Sequence, residues 1–275
     1  MTCLATVAAF GFDQFNTAEL LKRYRQLGCC SCQFYRNIGN PPDPSQARRI
    51  ATDVGVPIDS VHGLFGPGHD LSSLDASARQ AMLANYRLEG ELALELGASS
   101  VVVHPAPRAE SAAQLNRQMV IQRIPPLCDS LVQLAQMGRQ LGVVYLIENL
   151  PPDYLIGRDP IQLAQMIRDL NDPYVRMCFD VGHAHMTGQV AGALEACLDV
   201  ISYVHVHDND GMLDSHLIPG KGCLPWQSLA PTMACLAHDT PAMLELFITE
   251  SDLDDLIALD LADRLGSWLS LEESS

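Results

Sequence analysis

Along the chain, short apolar runs give way again and again to stretches in which apolar residues recur three and four positions apart. The runs predict buried strands and the wider spacing predicts amphipathic helices. "LATVAAF" (4–10) precedes "NTAELLKRYRQLG", and "CCSCQFY" (29–35) precedes "DPSQARRIATDVG". "PIDSVHGLF" (57–65) leads to "SARQAMLANYRLEGELALELG", and "ASSVVVHPAP" (98–107) to a long helical stretch ending at Gly142. "VVYLIENLP" (143–151) is followed by "PIQLAQMIRDL", and "VRMCFDVGHAH" (175–185) by "QVAGALEACLD". The last two runs, "ISYVHVHD" (201–208) and "PAMLELF" (241–247), precede "PWQSLAPTMACLAHD" and "SDLDDLIALDLADRLGSWL". Glycine closes several predicted helices, and Asp or Ser often opens the next. Eight βα units in 275 residues, with strands too apolar to face water on either side, predict an α/β fold: a single (β/α)8 TIM barrel over residues 1–275. An open doubly wound sheet is the alternative, but no strand is followed by a glycine-rich dinucleotide fingerprint.

Composition narrows the partners. The chain carries 17 Lys+Arg against 33 Asp+Glu, a formal net charge of −16, and only Lys22 and Lys221 are lysines. Such a field repels polyanions, so a nucleic-acid ligand is disfavoured. The nine cysteines show no paired C-x-x-C spacing; Cys29, Cys30 and Cys32 read as small buried side chains in a reducing compartment. The amino terminus lacks a signal-peptide pattern and no apolar run reaches the ~18 residues of a membrane span. A soluble cytoplasmic protein acting on a small molecule is expected, and homo-oligomerisation is compatible with it.

A barrel carries its active site at the carboxyl ends of the strands, and the histidines gather there. His62 ends the third strand, His104 the fourth, His183 and His185 the sixth, and His205 and His207 the seventh, with His216 in the loop that follows. Glu148, Asp180 and Glu245 fall at the same level of strands five, six and eight, in apolar sequence where an unpaired charge is costly. Imidazole and carboxylate together suit Zn, Mn, Fe or Co. His69 and His238 read as ordinary polar positions.

The series "SVHG", "VVVHP", "LIENLP", "FDVGHAH", "YVHVHDNDG…DSHLIPGKG" and "LELF" resembles the xylose-isomerase-like TIM barrels, which include sugar isomerases and epimerases together with endonuclease IV. The resemblance to the ketose 3-epimerase branch implies one divalent metal on Glu148, Asp180, His205 and Glu245, with Glu148 and Glu245 as the catalytic proton carriers. The endonuclease IV branch implies a trinuclear zinc site, for which His62, His104, Glu148, Asp180, His183, His205, Asp214, His216 and Glu245 are the counterparts. One to three ions are therefore expected. The family's HxxD spacing fits His205 with Asp208 or His207 with Asp210; the first is preferred because "HDN" then falls where relatives keep "DN". Lys221 stands where relatives commonly carry an acidic residue. His207, Asn149 and Lys221 are expected to contact substrate, Lys221 through a phosphate bound by "PGKG".

These readings favour an isomerase or epimerase of a sugar, sugar phosphate or related polyol, with proton transfer through an enediolate between the two glutamates. An endonuclease IV-like phosphodiesterase is the alternative: the ligand count favours it, while the charge and the lack of basic, wedge-forming loops do not. A non-catalytic barrel would leave six strands ending in ligand-type residues without a purpose.

Overall fold

A computed structural model describes residues 3–8, 17–35, 43–188, 190–237, 239–246 and 250–258. Eight parallel strands close into a barrel in chain order: β1 (Cys3–Ala8), β2 (Ser31–Phe34), β3 (Ile58–His62), β4 (Ser100–Val103), β5 (Val144–Glu148), β6 (Val175–Asp180), β7 (Ile201–Val206) and β8 (Pro241–Leu244). β1 pairs with β8, so no strand edge is left open. The surrounding helices are α1 (Thr17–Gln26), α2 (Pro44–Val54), α3 (Ala76–Leu96), α4 (Arg117–Leu141), α5 (Pro160–Leu170), α6 (Val181–Met186), α7 (Val190–Cys197), α8 (Trp226–Met233) and α9 (Glu250–Ala258). None of the described helices is long and apolar enough to cross a membrane.

Local chemistry sets these boundaries. Asp43 and Asp159 accept hydrogen bonds from the first free N–H groups of α2 and α5, and a proline follows each cap where a missing N–H costs nothing. At the other ends of α2, α3 and α4, Gly55, Gly97 and Gly142 take the left-handed conformation expected of them. The main core lies between strands and helices and includes Phe34, Val101, Ile147, Phe179 and Leu134. A smaller cluster of Ala5, Val102, Leu146, Cys178, Tyr203 and Met243 fills the barrel interior.

Two expectations are corrected. The sixth strand stops at Asp180, and His183 and His185 lie instead on α6. Asp180 ends the strand by capping this turn, its Oδ1 accepting from His183 N–H at 2.6 Å. The cysteines are not all thiols either: Cys30 is disulfide-bonded, whereas Cys29 and Cys32 are free and buried as expected.

Candidate metal centre

Because alternate residues of a strand share a face, register decides what meets inside the barrel mouth. Asp180 and His205 are direct partners across β6 and β7, and Glu148 ends β5 beside Cys178. Glu245, one residue past β8, is anchored by its N–H donating to Val206 O. The outcome is a buried group of Glu148, Asp180, His205 and Glu245 whose ligand atoms lie within 4.8 Å of one another. His205 points Nδ1 at all three carboxylates, 3.1 Å from Glu148 Oε1, 3.1 Å from Glu245 Oε2 and 3.7 Å from Asp180 Oδ2.

Glu148 belongs to a second group as well, with His62 and His104. Its other oxygen, Oε2, lies 3.0 Å from His104 Nε2 and 3.7 Å from His62 Nε2. One carboxylate thus bridges two groups. An aromatic wall of Tyr35, Phe65 and Tyr154 packs against these two histidines.

The third group comprises His183, His207, Asp214 and His216. His183 Nε2 is 3.3 Å from Asp214 Oδ2, and His216 Nε2 is 3.3 Å from Asp214 Oδ1. The opposite nitrogens are held by backbone: His183 Nδ1 donates to Asn149 O and His216 Nδ1 to Glu245 O, each at 2.8 Å. A ring that donates through Nδ1 keeps an Nε2 lone pair free, which is the tautomer a metal ligand needs. His216 adopts a positive φ of 45°, a conformation disfavoured outside glycine that the surrounding contacts must hold.

His207 is fully buried. Its ring stacks on His216 at 4.0 Å with planes 15° apart, and its Nε2 lies 3.1 Å from Asp180 Oδ1. Near-parallel rings cannot both hold one ion in their planes. As placed, then, His207 steadies Asp180 and His216 more readily than it binds alongside His216. A Cβ at Gly182 would run into this ring, so only glycine fits beneath it.

The fit to a metal can be judged from the oxygens. Three buried carboxylate oxygens at these groups accept no hydrogen bond of normal geometry: Asp180 Oδ2, Glu148 Oε2 and Asp214 Oδ1. Buried acceptors are seldom left so, and here each lies 3.0, 3.7 or 3.3 Å from an imidazole nitrogen, of His104, His205 and His216 for Glu148, Asp180 and Asp214 respectively. The donors are of the right kind for a divalent transition metal. Protons do the same work without one. Burial alone would lower the pKa of His183 and His216, but Asp180 and Asp214 beside His183, and Asp214 and Glu245 beside His216, outweigh it and raise them to about 10 and about 9. Glu148, Glu245 and Asp214 resist burial in turn and are held below the usual carboxylate range by the imidazoles beside them. His104, by contrast, is lowered by burial.

All nine residues expected as metal ligands therefore fall into these groups. Of the three residues expected to contact substrate, His207 falls in the third group, and Asn149 and Lys221 fall outside all three. Asn149 Nδ2 donates to Asp180 O and its Oδ1 accepts from Asp180 N–H, tying β5 to β6. Lys221 is exposed, and its N–H donates to Ile218 O. The "PGKG" turn is organised by the fully buried Asp208, which accepts from the N–H groups of Asn209, Gly220 and Leu224 and from Trp226 Nε1. Gly222 sits so close to Asp208 and Asn209 that a Cβ would collide with them. His185 bonds Asn209 Oδ1 at 2.8 Å, His69 joins none of the three groups, and His238 lies outside the described residues. Sequence reasoning gave no role to Asp208 or to the aromatic wall. The only signal for Asp208 was its place in the HxxD spacing.

A family model described as xylose isomerase-like TIM barrel matches residues 4–266. An uncharacterized protein of Methanocaldococcus jannaschii is 26% identical over 188 residues, a match covering 66% of this chain and 63% of that protein. Among solved structures, a D-tagatose 3-epimerase-like protein superposes with a TM-score of 0.78 at 19% identity, covering 98% of this chain and 99% of its own. The 3-keto-D-glucoside 4-epimerase of E. coli superposes with a TM-score of 0.72 at 17% identity, over 95% of this chain and 98% of its own. At these identities the structures establish a shared fold.

Proposed function

The chain belongs to the xylose isomerase-like TIM barrel family, and from that premise we propose that it is a divalent-metal-dependent epimerase or isomerase of a ketose or related hydroxy-ketone. The observation that carries this reading is the meeting of Glu148 and Glu245 on one histidine nitrogen, each 3.1 Å from His205 Nδ1. Glu148, Asp180, His205 and Glu245 would hold the principal ion, which supplies a Lewis acid for the substrate carbonyl and so acidifies the neighbouring C–H. The glutamates then divide the proton work. One takes the proton from one face of the carbon, the charge passes to the carbonyl oxygen, and the other returns a proton to the opposite face. Epimerisation leaves the two carboxyl groups with exchanged protonation, so solvent must reset them or the next turnover must run in reverse. The small-molecule partner and the 3-epimerase chemistry named for solved structures of this fold support the reading.

A second reading is favoured by one observation, the three neighbouring groups, two of which share Glu148, which resembles the trinuclear arrangement expected of an endonuclease IV-like phosphodiesterase. Against it stands the net charge of −16. The deciding experiment incubates metal-loaded protein with a panel of free and phosphorylated ketoses and, separately, with an abasic-site duplex at ~150 mM salt. Conversion of a ketose with an intact duplex supports the first reading; strand cleavage beside the lesion with inert ketoses replaces it with the second.

A further inference from the structure

The barrel interior beneath the metal centre is not wholly apolar. Gln33 on β2 is fully buried, and the pairing of β2 with β3 shifts register between Cys32 and Gln33. Irregularities of this kind re-aim a side chain beside functional sites. Gln33 Nε2 lies 3.3 Å from His205 Nε2 and donates to Ser60 Oγ at 3.2 Å. Ser60 spends its own proton on Asp59 Oδ1 at 2.6 Å, and Tyr203 donates to the same oxygen at 3.1 Å. A continuous polar chain thus runs from a ligand at the mouth to a carboxylate at the start of β3. Meanwhile Gln33 Oε1 is buried with no hydrogen-bond partner.

His205 turns Nδ1 toward Glu148, Glu245 and Asp180, so Nδ1 is the nitrogen offered to an ion. A neutral imidazole bound through Nδ1 carries its proton on Nε2, and a buried N–H needs an acceptor. The Gln33 amide is placed against this nitrogen, its Nε2 3.3 Å from His205 Nε2.

We propose that Gln33 is the positioning residue for the metal ligand His205. In the metal-free protein its Nε2 lies 3.3 Å from His205 Nε2, with His205 Nδ1 turned to the carboxylates. When an ion takes Nδ1, the amide turns over and Oε1 accepts the N–H that Nε2 then carries. The spare oxygen is the group this exchange requires. The inference rests on the metal reading of the site and deepens it, adding a residue that none of the three ligand groups contains.

The test compares Q33M and Q33E in a D214A/H216A background, where the third group is removed. The Co²⁺ dissociation constant is measured by competition with a chromogenic chelator, with Co²⁺ absorption bands as a second readout. Methionine fills the space without accepting, and glutamate accepts without turning over. Q33M should weaken Co²⁺ binding 10–100-fold and alter the Co²⁺ spectrum, while Q33E binds at least as tightly as the background protein. A packing role predicts the reverse, with Q33M near parental and the buried charge of Q33E harmful. Q33M within threefold of the background protein overturns the proposal, as does tenfold weakening in Q33E should Q33M fail to fold. A background protein that binds no Co²⁺ overturns the metal reading itself, and Gln33 with it.

Discussion

Glu148 holds a different position from Glu245, although both are assigned the same chemistry. Its two oxygens lie 3.1 Å and 3.0 Å from histidines of two ligand groups, whereas Glu245 Oε2 lies 3.1 Å from His205 and reaches His216 of the third group only at 3.9 Å. Glu148→Gln should therefore lose turnover and also reduce metal content more than Glu245→Gln does. Both variants should fall 10²–10⁴-fold in kcat, the usual range for a lost general acid or base. Elemental analysis beside kinetics separates the two effects, and equal metal loss in both variants would contradict the bridging role. At Gly182, alanine should force the His207 ring off its seat. Overpacking of this kind costs about 1–3 kcal/mol, read as a lowered unfolding midpoint in denaturant. A residue-scale pH effect follows from His183 and His216, raised to about 10 and about 9 in the metal-free protein. Since these values exceed the unfolded value, their contribution to stability is complete below about pH 6.5. It is lost as pH rises through 9 to 10. Chelator-treated protein should thus melt progressively lower between pH 8 and 10, and metal uptake at pH 7.5 should release protons into a weakly buffered solution. A flat melting profile over that range would sink this account.

At the scale of elements, the order of strands and helices was legible because each strand is nearly continuous in apolar residues and each helix carries its own stop and start chemistry. The candidate ligands stood out because Glu148 and Asp180 end apolar strands and are expensive there without partners. The exceptions follow from contacts distant in sequence. Period alone could not show that Asp180 would cap α6 and turn the chain out of β6. Nothing local shows that Asn149 and His207, expected at the substrate, both engage Asp180, 31 and 27 residues away. Gln33 stood unmarked in an apolar strand, since its partners lie on β3 and β7. The loop after β7 makes the point in energetic terms. Asp208 satisfies four donors from within it, and a buried donor left without an acceptor costs about 1–3 kcal/mol. Asp208→Ala should loosen residues 208–226 and lower the melting temperature, while Asp208→Asn keeps part of the network. A change in Trp226 emission reports the loosening, because its indole N–H bonds the carboxylate directly.

Over the whole molecule, a closed eight-stranded barrel gathers carboxylates and imidazoles from six strands, and the loops and turn beyond them, into one mouth while the surface field is strongly negative. That field concentrates cations and repels polyanions, consistent with a metal site serving a small substrate. Metal binding should stabilise the fold in proportion to its affinity, so chelation should lower the melting temperature and added Mn²⁺, Co²⁺ or Zn²⁺ should restore it. Proton transfer at a carbon acid between the two glutamates is read most directly by solvent isotope. A ketose that the metal-loaded protein converts is incubated in D₂O and the product examined by NMR. One deuterium should appear at the inverted carbon, with none incorporated by Glu148→Gln or Glu245→Gln. Conversion at full rate with no deuterium in the product would contradict proton transfer through solvent-exchangeable carboxylates and with it the proposed reaction.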